Sequence, residues 1–289
     1  MEGNKKTFRV LQEEGPKWIT VISSEYYPDT LEAAKEYYRP ALEKFRSLID
    51  KVSTSEELYK EINKEKGWMH IQLHRIFRKY VSPGTSVEML KVKSKEKMVL
   101  RDFSYQFRSL DIVKEVFSRR PFPDEALAAV LWEYKDRGQS GYRLTEEFFA
   151  KFRERFPDLV IMGPESAGSD ILLHTVLPDY PNQRRPVDFI IMDNGEAIAV
   201  GLARYDSDRG GAQEDDRIGG YKNCADEVLR YSESNGKNIK VIFVNDGPGL
   251  LLGSMWKDYA YIEESWVDKI LVITLKMMEE RLTREWLRG

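Results

Sequence analysis

Apolar positions in the first 157 residues recur at helical spacing. Residues 31–52 carry Leu31, Ala34, Tyr37, Tyr38, Leu42, Phe45, Leu48 and Ile49 near a 3.6-residue period. That predicts a helix, which Pro40 is expected to kink or split. Thr54 and Glu57 have capping-box spacing and predict a second helix to about Tyr80. Ser82-Pro83-Gly84 reads as a turn. The basic stretch of Lys91, Lys93, Lys95 and Lys97 is assigned no element. Pro123 opens a short helix through Trp132, with Gly138 as its stop. Thr145 caps another over 146–156, ended by Pro157.

The pattern changes near residue 158. Residues 187–192 form a short apolar run closed by Asp193-Asn194-Gly195, and 197–205 form a second run. Together they read as two strands of a tight hairpin. A third strand, 239–244, ends in Asn245-Asp246-Gly247-Pro248-Gly249. A polar loop and a helix at about 217–234 separate strands two and three, and such a crossover allows parallel pairing. Residues 270–274 read as a fourth strand and 276–287 as a terminal helix. The fold class is therefore α+β or α/β: a mixed sheet flanked by helices behind a largely helical N-terminal region, with the boundary at 157/158.

Composition narrows the function classes. The chain has 289 residues, 42% of them hydrophobic, which is enough for a sizeable core. Lys and Arg number 45 against 48 Asp and Glu, a formal charge of −3 that excludes a wholly basic coat but not a local basic patch. Cys224 stands alone, so a disulfide framework and a cysteine-based zinc site are excluded. The N-terminal MEGNKKTFRV lacks the apolar core of a signal peptide, and no run has the length of a membrane span. A cytoplasmic setting is the expectation.

The chemistry centres on Asp188, a carboxylate inside an apolar strand. It needs a partner such as a divalent metal or a local cation, Arg184 or Arg185. Arg-Pro-Val-Asp188-Phe-Ile-Ile, the hairpin, and Ala-Ile-Ala-Val-Gly201-Leu-Ala203-Arg-Tyr resemble the core of the PD-(D/E)XK nucleases, and more narrowly the type II restriction endonucleases. The resemblance covers about residues 158–280. It implies an Asp on one strand of a hairpin, an acid with a Lys two positions later on the next strand, and a downstream strand after a helix.

Gly201 occupies the acidic position and Ala203 the lysine position. Gly201 therefore reads as an acid-to-glycine replacement that inactivates the site, the alternative being a natural bulge glycine. In the same frame Glu165 is an additional metal or water ligand beside Asp188, and Mg²⁺ is the implied cofactor. Glu196, Lys222 and Arg204 are weaker stand-ins for the missing groups.

The segment from Tyr205 to Arg217 follows the second hairpin strand directly. Arg209, Gly210, Gly211, Gln213 and Arg217 suit phosphates and base edges, while Asp206, Asp208, Asp215 and Asp216 suit a cation. Arg184, Arg185 and Lys222 complete the expected DNA contacts. Asp170 and His174 have the spacing of one helix face. His70 and His74 read as helix-surface residues rather than a zinc pair. Arg75, Arg78 and Lys79, with Lys91 to Lys97, make a candidate phosphate-facing stripe. Residues 1–157 would recognise DNA and dimerise, and 158–289 would form the catalytic core. The implied activity is sequence-specific, Mg²⁺-dependent hydrolysis of double-stranded DNA by a homodimer in a restriction-modification system. The alternative is a catalytically inactive DNA-binding protein on the same scaffold.

Overall fold

A computed structural model describes residues 7–22, 25–164, 170–207 and 212–289, apart from the side chains of 134, 136–141 and 212–217. The chain divides into two compact units, 24–136 and a second built from 1–23 with 137–289. No helix among the described residues is long and apolar enough to cross a membrane.

The unit 24–136 is helical. Helix α1 (Thr30–Lys51) runs through Pro40 unbroken, because Tyr38, Ala41, Leu42 and Phe45 are all buried and packing outweighs the local penalty. Thr54 caps α2 (Ser55–Lys64) by accepting the Glu57 N–H, and Glu57 in turn accepts the Ser53 N–H. The single helix expected to Tyr80 is two. Glu65 and Lys66 are extended, Gly67 takes φ +56°, and α3 (Gly67–Tyr80) begins afresh. The basic stretch forms a 3-10 turn, Lys93–Lys95, and a short helix, Glu96–Asp102. Helix α4 (Leu110–Ser118) completes the packing around Phe45, Tyr59 and Phe77.

The two helices expected between Pro123 and Phe156 are one, α5 (Glu125–Arg155). Its cap is Asp124, whose carboxylate accepts the Leu127 N–H and binds Arg120. Gly138 and Thr145 lie within it. A helical glycine costs about 1 kcal/mol, and the helix runs on through it. Phe148, Phe149, Phe152 and Phe156 near its end are buried in the core of the second unit.

His70 and His74 lie in the core, not on the surface. The His70 ring meets the carbonyls of Ile62 and Lys91, and His74 Nε2 meets Asn63 Oδ1 at 3.0 Å. Burial drives the His74 pKa down to about 3. Below about pH 6.5 the unfolded chain takes up a proton that the folded one refuses. This group's stabilisation is therefore complete above that pH and erodes as the pH falls toward 3, by at most about 5 kcal/mol. Urea midpoints measured from pH 7 to pH 4 should fall less steeply in His74→Gln than in the unsubstituted chain. Equal slopes would refute the linkage.

The second unit is built on a five-stranded sheet of β1 (Val160–Met162), β2 (Phe189–Asp193), β3 (Glu196–Tyr205), β4 (Lys240–Asp246) and β5 (Ile270–Ile273), paired in that order. The first three strands are antiparallel, whereas β3, β4 and β5 run parallel. The hairpin expected at Asp193-Asn194-Gly195 is present, with Asn194 and Gly195 at positive φ as a tight turn requires. Helix α6 (Ala212–Ser234) makes the crossover from β3 to β4, and α7 (Met255–Ser265) the crossover to β5. This is the mixed sheet with flanking helices that the apolar runs predict.

Two boundaries differ from expectation. The terminal helix is broken into Met278–Arg281 and Arg284–Arg288, the latter capped by Thr283. The N-terminal segment, 1–23, joins the sheet-containing unit rather than the helical one. Phe8 stacks on Trp256 at 4.5 Å, and the Trp256 indole donates to the Phe8 carbonyl at 2.7 Å. The Thr274 hydroxyl donates to the Trp18 carbonyl at 2.6 Å. The boundary at 157/158 thus moves to 136/137 with a returning N-terminal segment. Tertiary contacts, not local pattern, decide that segment's place.

Candidate functional site

Asp188 sits at a break between two stretches of strand, Pro186–Val187 and β2. Its N–H donates to the Gly201 carbonyl at 3.0 Å. Its side-chain Oδ2 accepts the Ala203 N–H at 2.7 Å. The carboxylate therefore lies along β3 between positions 201 and 203. Neither arginine is its partner: Arg185 pairs with Glu227 on α6, and Arg184 is exposed. A backbone N–H satisfies one oxygen without cancelling the charge. Burial pushes the Asp188 carboxyl above the usual carboxylate range; the Ala203 N–H pulls it back, and the charge of Asp170 adds to the rise.

The chain approaches this point from β1. Met162 pairs with Ile190, and Gly163 packs against the Asp188 carbonyl, where a Cβ would also lie 2.8 Å from the Phe149 ring. Asp170 is exposed and precedes a two-residue strand, Ile171–Leu172, that pairs with Pro186–Val187. It shares no helix face with His174, which lies in a 3-10 turn. Sequence spacing misses the proximity of Asp170 to Asp188, because only the pairing of these short strands creates it. Cys224 on α6 is buried, and burial pushes its thiol up to about 11, so it is a packing residue and not a nucleophile.

Gly201 leaves no free space for a larger side chain. It stands directly across from Phe189 in the hairpin. A Cβ there would lie 2.5 Å from Phe189 Cε2, 2.6 Å from Cε1 and closer still to Cζ. The Phe189 ring is fully buried and packs on Phe148 and Phe149. Strand alternation places 203 on the same face as 201. Position 201 cannot present an acid beside Asp188 without rebuilding that face. An acid at 201 would have to displace the Phe189 ring, which fills the space beside the glycine.

The remaining expected residues scatter. Glu196 is exposed at the hairpin, and Lys222 is exposed on α6. Arg204 binds Asp206 at 2.7 Å, and Asp206 is buried. Glu165, Arg209, Gly210, Gly211 and Asp208 lie outside the described residues, as do the side chains of Gln213, Asp215, Asp216 and Arg217. Among the described residues no group of three His, Cys, Asp or Glu can hold a metal ion. Asn245, beside Asp246 at the end of β4, is fully buried with neither amide atom hydrogen-bonded. No sequence signal marks it. Compared with known proteins, the chain matches no family model, no curated protein and no solved structure.

Proposed function

We propose that the chain is a sequence-specific double-stranded DNA endonuclease of the PD-(D/E)XK kind, acting as a homodimer with Mg²⁺. One observation carries the reading. Asp188 opens the first strand of an antiparallel hairpin, and its carboxylate reaches the backbone of the second strand at Ala203. That second strand then leads through a helix to a parallel neighbour. This is the order of elements that the resemblance implies, with the acid in the implied place.

The described residues supply Asp188 and, near it, Asp170. They do not complete a Mg²⁺ site, which takes several oxygen ligands. Mg²⁺, when bound, would stabilise negative charge at the scissile phosphate. Asp188's own part is narrower. Its Oδ2 is fixed by the Ala203 N–H, which orients the carboxylate, and its raised affinity for a proton makes it a ligand only when deprotonated.

A large mixed-sequence DNA incubated with the chain and Mg²⁺ should give discrete fragments. Asp188→Asn should lower the cutting rate by at least the ~10²–10³-fold typical of losing one charge-stabilising group. Smears, or no cutting at any Mg²⁺ concentration, would refute the reading. A second reading, a DNA-binding protein that does not cleave, is favoured by the Phe189 ring filling the place of the second acid. It predicts sequence-selective binding without fragments.

A further inference from the structure

The helical unit contains a basic cavity of about 370 Å³ that the proposed cleavage chemistry does not use. Arg75, Arg78 and Lys79 line it from α3, spaced so that they share one helix face. Lys91 faces them, held at 2.6 Å by Glu88, the one acid among the described residues that line the cavity. Ile71, Val87 and Leu131 supply apolar wall. Arg78 Nε is sealed from solvent and has no hydrogen-bond partner. A desolvated guanidinium N–H without an acceptor is costly, and a charge-assisted bond from the same guanidinium to a phosphate in the cavity would offset that cost.

The charge is concentrated here against the trend of the molecule. Residues 71–101 contain eight Lys and Arg but two Asp and Glu, in a chain whose net charge is −3. The basic run continues past the cavity in Lys95 and Lys97, both exposed or half-buried at the surface. A small phosphorylated metabolite would need only the cavity. Cations that run on along the chain suit an extended polyanion.

The geometry points to a phosphodiester-binding site: the Arg75–Arg78–Lys79–Lys91 cavity holds backbone phosphates of duplex DNA. The inference rests on the proposed function only for the identity of the polyanion. It requires neither cleavage nor Asp188. The contacts would carry affinity and register but no base sequence.

Binding of the full chain to a labelled mixed-sequence duplex, followed by fluorescence anisotropy in EDTA between 50 and 200 mM salt, tests it. Removing one phosphate-binding cation reduces the slope of log K against log salt by about 0.9. Arg75→Gln/Arg78→Gln should therefore lower the slope by about 1.8 and bind at least about tenfold more weakly. Arg75→Lys/Arg78→Lys should keep most of the slope. Lys79→Gln/Lys91→Gln touches no buried group and gives the same readout if the arginine variant does not fold.

Unchanged slope and affinity in the glutamine variants would overturn the site, as would tighter binding of a mononucleotide than of the duplex. Absence of binding by the unsubstituted chain would overturn both the site and the proposed function. Salt-sensitive binding abolished in these variants, without any cutting in Mg²⁺, would leave the site standing and remove only the cleavage reading.

Discussion

Gly201→Glu is expected to unfold the sheet-containing unit rather than to create a nuclease. The incoming Cβ would lie 2.6 Å or less from three atoms of the Phe189 ring. That ring cannot retreat, because Phe148 and Phe149 pack against it within 5.0 and 6.0 Å, centroid to centroid. Overpacking alone costs about 1–3 kcal/mol. A carboxylate driven into this apolar face adds a desolvation penalty, which brings the total above about 4 kcal/mol. Gly201→Ala isolates the steric part and should lose about 1–3 kcal/mol in urea unfolding. In a Phe189→Ala background, itself about 3–5 kcal/mol less stable, Gly201→Ala should cost much less. Additive costs would show that the two residues do not compete for one space. A well-folded Gly201→Glu protein that cuts DNA left intact by the unsubstituted chain would show the same, and would restore the inactivation hypothesis.

Asp246→Ala is expected to be the most damaging substitution outside the hydrophobic core. Asp246 has no solvent exposure. Its Oδ1 accepts the N–H groups of Thr20 and Gly247, each at 2.8 Å, and its Oδ2 accepts the Leu275 N–H at 2.9 Å. One carboxylate thus ties the N-terminal segment, the end of β4 and the chain beyond β5. Alanine leaves three backbone donors without their acceptor, each worth about 1–3 kcal/mol when buried and unsatisfied. A loss of about 4 kcal/mol or more is expected, read as a fall in urea midpoint. Asn keeps one acceptor oxygen but turns an N–H₂ toward a donor, so Asp246→Asn should fall between the two. A loss below about 1 kcal/mol for Asp246→Ala would mean that water replaces the carboxylate there.

The hairpin is legible in the sequence because its signals are local. Asp193-Asn194-Gly195 demands positive φ, and apolar runs flank it. The parallel strand at Lys240–Asp246 is legible from its length and the helix before it. Asp188 stands out because a carboxylate beside an apolar run needs a partner. The partner itself does not, since it is a backbone N–H chosen by register. The meaning of Gly201 is hidden for the same reason: only pairing sets it against Phe189. Gly67 breaks a helix that reads as continuous, and Gly138, which reads as a stop, lies within one. Propensity alone does not decide such cases. Polarity suggests a surface position for His70 and His74, whereas their hydrogen bonds to Ile62, Lys91 and Asn63 satisfy them inside.

The return of the N-terminal segment to the sheet-containing unit has a consequence for synthesis. Residues 24–136 form one uninterrupted stretch of chain, so the helical unit can close as soon as it leaves the ribosome. The sheet-containing unit cannot. Phe8 must wait for Trp256, and Trp18 for Thr274, with sequence separations of 248 and 256. Until Trp256 and Thr274 are made, Phe8 and Trp18 lack these partners, which makes the segment a natural contact for chaperones.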